Sequence, residues 1–234
     1  MEKNIQFESG LYYHEILKAN SDTLLFKEDE DRKFFLKKMR NFILPCCELL
    51  SYVILGNHVH LIIRPHPSKV LSRLSLHLHL LDLDLYASDM KDYLSDDFSV
   101  KLPNGLLLFE GSIDKQIRYC IRGLKHSYSH YQAQKYERRG MQWTSDKLTK
   151  PLVTKEDIGR TVLYIHKNPV YHGMVHQPGE WQFSSFHEII NETNELVNGQ
   201  RILELFGTKD NFLKEHVASV DDFGRKPSKM KRLL

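Results

Sequence analysis

His58 and His60 are two positions apart, and Tyr164 and Asn168 are four positions apart. In an extended strand, side chains at i and i+2 share a face with Cα atoms roughly 6.5–7 Å apart, so two imidazoles can converge on one divalent ion. On a helix, residues four apart lie on one face, one turn from each other. An asparagine amide oxygen is an acceptable hard ligand for Mg²⁺ or Mn²⁺. A tyrosine hydroxyl ordinarily titrates near pH 10 and is a weak nucleophile at neutral pH. A divalent ion on a phosphate oxygen would offset that weakness by stabilising the charge that builds up during in-line attack. The products would be a covalent phosphotyrosine and a free sugar hydroxyl. Because the phosphodiester energy is retained, the step can run backward onto a second strand end without ATP. Each residue alone has a plainer reading: H-x-H recurs by chance, a helix tyrosine packs in a core, and an asparagine before proline caps a helix. The conjunction carries the argument.

Four residues on two elements can meet only if the fold brings those elements together. Leu11 to Lys18 reads as a strand. Residues 27–43 read as a helix, with Glu28, Asp29, Glu30 and Asp31 at its start and Lys37, Lys38 and Arg40 near its end, matching the macrodipole. Pro45 is the expected stop. Glu48 to Leu55 and His58 to Arg64 read as two strands joined at Gly56-Asn57, hence antiparallel neighbours. Ser112 to Glu137 reads as a long helix capped by Ser112, with Ile113, Ile117, Cys120, Leu124, Tyr128 and Tyr131 tracing one face. Residues 150–154 read as a strand. Thr154 and Asp157 form a capping box for a last helix expected to run through Asn168 and end at Pro169. The order strand–helix–strand–strand–helix–strand predicts an α+β fold: a ferredoxin-like antiparallel sheet with helices on one face. Residues 70–111 break this pattern and read as an insert. The expected organisation is a catalytic domain over 1–190, then a C-terminal helical extension and basic tail over 191–234.

Composition excludes little. The 234 residues carry a net charge of +3, so a nucleic-acid site would have to be a local patch. No run approaches membrane-spanning length and no signal peptide is read at the start, so no membrane partner is expected. Three cysteines without a metal-type or disulfide framework fit a reducing cytoplasm.

SYVILGNHVHLIIRP, SYSHYQAQKYERRG and above all YIHKNPVYHGMVHQPGEWQFSSFHEI resemble the REP-associated tyrosine transposases and their single-tyrosine HUH transposase relatives. The likeness extends over most of residues 10–216, with 70–111 the weak zone, and NGQRILELFGTKDNFLKEH resembles a helical extension found in one branch. It implies that His58, His60 and Asn168 hold the metal, Mg²⁺ or Mn²⁺, and that Tyr164 is the nucleophile. It also implies a single-stranded DNA substrate bearing a hairpin, cut at a flanking site through a 5′-phosphotyrosine, by a monomer or a homodimer. Gly56 stands where the family usually has proline, and residues 141–153 hold fewer bases than its basic, aromatic segment. That second departure motivates an alternative: a domesticated, catalytically inactive nucleic-acid-binding protein of the same fold. A water-using phosphoesterase is a third reading.

Arg122, Lys125, His126, Arg138, Arg139 and Lys167 are the expected DNA-contacting cations, each of which also reads as an ordinary solvated or helix-end base. His77 and His79 form a second H-x-H near Asp82 and Asp84, read as an alternating solvent face. Trp181 and Phe183 to Phe186 are expected to pack the segment after the last helix onto the sheet.

Overall fold

The structure is a computed structural model that describes residues 5–20, 23–67, 99–101, 107–109, 112–138, 142–145 and 148–217. Its elements in chain order are β1 (Tyr12–Lys18), α1 (Asp29–Phe42), β2 (Cys47–Ile54), β3 (His58–Pro65), β4 (Ser99–Lys101), β5 (Leu107–Phe109), α2 (Ile113–Tyr136), β6 (Leu148–Leu152), α3 (Lys155–Tyr171), α4 (Phe186–Asn191), α5 (Gly199–Phe206) and α6 (Lys209–Val217). The chain divides into two compact units. One comprises residues 1–11, 28–48 and 64–142; the other comprises 12–27, 49–63 and 143–234.

The first unit is built on α1 and α2. Glu28 and Asp31 close a reciprocal capping box at the start of α1, and Ser112 Oγ accepts from Lys115 N at the start of α2. Asp31 is fully buried, which would be costly for a carboxylate alone. Lys135 Nζ at 2.9 Å, Tyr131 OH at 3.0 Å and Tyr136 OH at 2.9 Å all donate to it. Burial opposes its ionisation, but these donors hold its pKa below the usual carboxylate value. The helices touch closely at Gly123, where a Cβ would lie 2.7 Å from the Phe42 ring. The cysteines depart from the sequence expectation. Cys46 and Cys120, 74 positions apart, are paired as a disulfide, and Cys47 is a buried thiol. No spacing signal marks such a pair, because the packing of the two helices brings it together. Within the expected insert, β4 and β5 form an antiparallel ladder; His77, His79, Asp82 and Asp84 lie outside the described residues.

The second unit holds the four-stranded antiparallel sheet, in the order β2-β3-β1-β6. This is the ferredoxin-like order, in which the first and third strands of the β-α-β-β-α-β pattern are central. Leu55 N donates to His58 O across the two-residue loop Gly56-Asn57, and Leu25 N and Phe26 N both donate to Gly56 O. Val59, Leu61, Ile62 and Ile63 of β3 are fully buried. The segment after α3 covers the β2 edge: Ile54 N donates to Phe183 O, Ser185 N to Tyr52 O and Trp181 Nε1 to Ile54 O. The aromatic stretch expected to pack on the sheet therefore does so by extending its hydrogen-bonded edge. Tyr52 OH donates to Glu188 Oε1 at 2.6 Å, and Glu188 Oε2 accepts from Leu196 N and Val197 N, which anchors the approach to α5.

The end of α3 differs from the sequence expectation. Pro169 lies inside the helix, which continues to Tyr171. The stop is Gly173, in the left-handed region at φ 66°. Gly173 N donates to Val170 O and Met174 N to Pro169 O, the paired bonds of a Schellman motif. Proline costs the helix the donor to Ile165 O, while the Schellman bonds satisfy the carbonyls of the last turn. Among the described residues, no helix is long and apolar enough to cross a membrane.

Candidate active site

The register of the sheet decides which residues surround His58 and His60. Lys18 lies opposite His58, Ile16 opposite His60 and His14 opposite Ile62. Directly opposed residues share a face, so His14, Ile16 and Lys18 share that of His58 and His60. On the other side of β1, Lys150 of β6 lies opposite His14 and on the same face. Helix α3 lies over this face. The Tyr164 ring meets His60 edge-on at 5.5 Å between centroids and His14 at 6.1 Å. His58 and His60 are 4.9 Å apart with their rings nearly perpendicular, and His172 reaches His58 from the end of α3 at 5.5 Å. The strand pair and the helix pair singled out by spacing are thus brought to one place, all within the second unit.

The hydrogen bonds orient these rings. His58 Nδ1–H donates to Asn57 Oδ1 at 2.7 Å, an oxygen that can only accept, so the lone pair of His58 sits on Nε2. His60 Nδ1 and His14 Nε2 share a hydrogen bond of 2.9 Å. His60 Nε2 and Asn168 Oδ1 are both buried and have no hydrogen-bond partner among the described residues. The Asn168 amide lies near enough to the His58 ring to favour its charged form, yet its oxygen has no partner at bonding geometry. A cation would satisfy both of these buried atoms where His60 Nε2 carries the lone pair. The residues present therefore fit a divalent ion held by His58, His60 and Asn168. Among the described residues, no group of three or more His, Cys, Asp or Glu side chains is placed to hold a metal. A cation here would thus need the amide as its third protein ligand.

The electrostatics keep the imidazoles neutral. Burial, aided by His172 and more weakly by Lys18, lowers His58 to about 4 against the opposing pull of Asn168. Burial, followed by the charge of Lys150, lowers His14 to about 4. Burial and three neighbouring imidazoles push His60 well below its usual value. Neutral imidazole is the form that ligates a metal. Burial also raises the pKa of Tyr171, whose buried hydroxyl lacks a partner and whose ring lies 6.3 Å from that of Tyr164.

The expected DNA-contacting cations fall in several places. Arg122 is exposed on α2, where Lys125 and His126 are half-buried, and Arg138 follows the helix with its guanidinium 5.9 Å from the centre of the Tyr136 ring. These belong to the first unit. Arg139 lies outside the described residues. Lys167 is buried, and its Nζ donates to Glu215 O at 2.7 Å, so a phosphate contact would require that bond to open. Sequence reasoning missed Lys18 and Lys150, two exposed cations on the site's own sheet face. It also missed His14, Asn57 and His172. For His14 the signal was the strand register, which the sequence left open. For Asn57 it was adjacency to His58, read only as turn chemistry.

The sequence matches no family model and no curated protein. Among solved structures, the chain is similar to a REP-associated tyrosine transposase bound to a REP hairpin, with a TM-score of 0.51 and 19% identity over 82% of this chain and 87% of that one. The shared feature is the fold. The four-stranded antiparallel sheet with its helices is the architecture it shares with that neighbour. At that identity the likeness identifies architecture, and the chemistry has to be argued from the residues of this site.

Proposed function

We propose that this chain is a metal-dependent single-stranded DNA endonuclease and strand transferase. Tyr164 is its nucleophile, and His58, His60 and Asn168 are its ligands for Mg²⁺ or Mn²⁺. The observation that carries the reading is the pair of buried atoms with no hydrogen-bond partner among the described residues, His60 Nε2 and Asn168 Oδ1, beside the half-buried phenol of Tyr164. The transposase fold of the solved neighbour, and the DNA hairpin bound to it, support DNA as the partner class.

In this reading the Tyr164 oxygen attacks the scissile phosphorus in line with the departing 3′ oxygen. The phenolic proton passes to water. The bond to the 3′ oxygen breaks, and that oxygen takes up a proton from water, leaving a free 3′ hydroxyl and a 5′-phosphotyrosine. Reversal onto a different 3′ hydroxyl joins strands, since the phosphotyrosine keeps the energy of the broken diester. A divalent cation, when bound, would supply charge stabilisation at the phosphate oxygen. The chain's residues do the positioning: α3 carries both Tyr164 and Asn168 one turn apart, and Asn57 fixes the tautomer of His58. Lys18 and Lys150 put positive charge beside the site for the flanking phosphates.

The test is incubation with hairpin-bearing single-stranded DNA and Mg²⁺ or Mn²⁺. A covalent protein–DNA adduct is expected, absent in Tyr164→Phe, with DNA binding retained in that variant. Full cleavage by Tyr164→Phe that is lost in His58→Ala would replace this reading with a water-using phosphoesterase. DNA binding without any adduct under either ion would identify an inactive binding protein of the same fold.

A further inference from the structure

His14 belongs to no part of the machinery described so far. It comes from β1, is almost fully buried, and shares its Nε2 with His60 Nδ1 at 2.9 Å. The ring centroids are 5.1 Å apart and the planes 26° apart. That separation is about the N···N distance plus the two ring radii, so the imidazoles meet edge to edge through a hydrogen bond and do not stack. The same ring also meets the Tyr164 ring edge-on.

Two proton arrangements are possible. If His14 Nε2 carried the hydrogen and donated it, His60 would be protonated on Nε2. That N–H is buried and has no acceptor, and an orphaned buried donor is among the rarest polar defects in folded proteins. If His60 Nδ1 carries the hydrogen and donates it to His14, the bare lone pair of His60 faces the site. His58 shows the second pattern unambiguously, because its Nδ1–H meets the Asn57 amide oxygen. The two histidines of the pair would then present the same atom, Nε2, each fixed by a partner on its far side.

We infer that His14 is a positioning residue that holds His60 in the Nδ1–H tautomer and so aims the His60 Nε2 lone pair at a divalent cation. The cation part rests on the function proposed above; the tautomer part stands on the hydrogen bond alone. Partners of this kind fix ring orientation and ligand basicity, and their loss costs about 10–100-fold in metal affinity.

The test has two arms. Long-range ¹H–¹⁵N spectra of the wild-type chain without metal are expected to show His60 protonated on Nδ1. His14→Phe, which keeps a ring but no acceptor, should lose that preference; His14→Gln, whose amide oxygen can accept, should restore it. In calorimetric titration with Mn²⁺, His14→Phe should bind about 10–100-fold more weakly and His14→Gln within a few-fold of wild type. A His60 ring protonated on Nε2 in the wild-type chain would overturn the inference, and that measurement needs no variant to fold. So would Mn²⁺ affinity in folded His14→Phe equal to wild type. A wild-type chain that shows the Nδ1–H tautomer yet binds no Mn²⁺ would confirm the His14–His60 arrangement and overturn the metal reading instead.

Discussion

Helix α3 carries two histidine-centred clusters that use the same chemistry in opposite ways. On one face, Tyr164 and Asn168 meet His14, His58 and His60 of the sheet. Elsewhere on the same helix, His166 is fully buried in a second network. There His216 Nδ1–H donates to Phe212 O at 2.7 Å, which leaves its Nε2 to accept from His166 Nδ1–H at 2.8 Å. His166 Nε2 in turn accepts from Ser185 Oγ at 2.8 Å, with Ser51 Oγ 3.2 Å away. Every ring nitrogen of that network has a partner, and aromatic rings enclose it, Phe212 lying 4.0 Å from His216. The first cluster leaves His60 Nε2 and Asn168 Oδ1 open. His60 and Asn168 are as inaccessible as His216, so burial of the individual polar group does not separate the two clusters. Completeness of hydrogen bonding does: one network is saturated, and the other leaves two buried polar atoms without partners among the described residues.

The comparison breaks most visibly through stability. His166→Ala removes the hub of the saturated network and strands the partners on His216 and Ser185. It should cost roughly 3–5 kcal/mol in urea unfolding, through a cavity plus unsatisfied groups. The folded fraction should bind Mn²⁺ as wild type does. A cost under about 1 kcal/mol would show that the saturated network is not structural.

The next effect is pH dependence. Burial lowers His216 from 6.5 to about 4, so in the folded chain it stays neutral where the unfolded chain takes up a proton. Between those values the unfolded state binds more protons, and stability must fall as pH falls. The contribution is fully present above pH 6.5, is lost on descending through that window, and is constant below about 4. The loss should be on the order of 3 kcal/mol from this group. Chevron or equilibrium unfolding at pH 7 and pH 4.5 measures it, and a flat profile would mean that His216 is not buried neutral.

Asn168→Ala sharpens the other side of the comparison. Its oxygen has no hydrogen bond to lose, so the stability cost should be that of a small cavity, roughly 0.5–2 kcal/mol and below that of His166→Ala. Mn²⁺ affinity should fall by at least about 10-fold, read by calorimetry. A variant that is strongly destabilised and binds Mn²⁺ normally would invert the two roles.

The smallest effect belongs to Lys18 and Lys150. Lys18→Ala and Lys150→Ala should each weaken single-stranded DNA binding modestly, across sequences alike, and reduce the slope of log K against log salt by about 0.7. An unchanged slope in both would remove them from the DNA path.

What the sequence disclosed follows from which forces are local. The acids at the start of α1, the Thr154–Asp157 box and the Gly56-Asn57 loop are short-range signals, and the elements formed where these pointed. The strand order followed from element order alone. Pro169 misled because its local penalty was outweighed by the Schellman closure at Gly173, four residues on. Cys46 with Cys120, and His14 with His60, are long-range meetings set by helix packing and strand register, and neither leaves a mark in local spacing. The four residues chosen by spacing do meet; the partners that tune them came only with the fold.

The central claim is that Tyr164 forms a bond to DNA phosphorus beside a cation held by His58, His60 and Asn168. Tryptic mapping by tandem mass spectrometry, after incubation with hairpin-bearing single-stranded DNA and Mn²⁺, tests it most directly. The account predicts a 5′-phosphonucleotide on the peptide that contains Tyr164, dependent on the metal and lost in His60→Ala. A modified Tyr171 with Tyr164 bare, or a Tyr164 adduct of equal yield in the presence of a chelator, would contradict it.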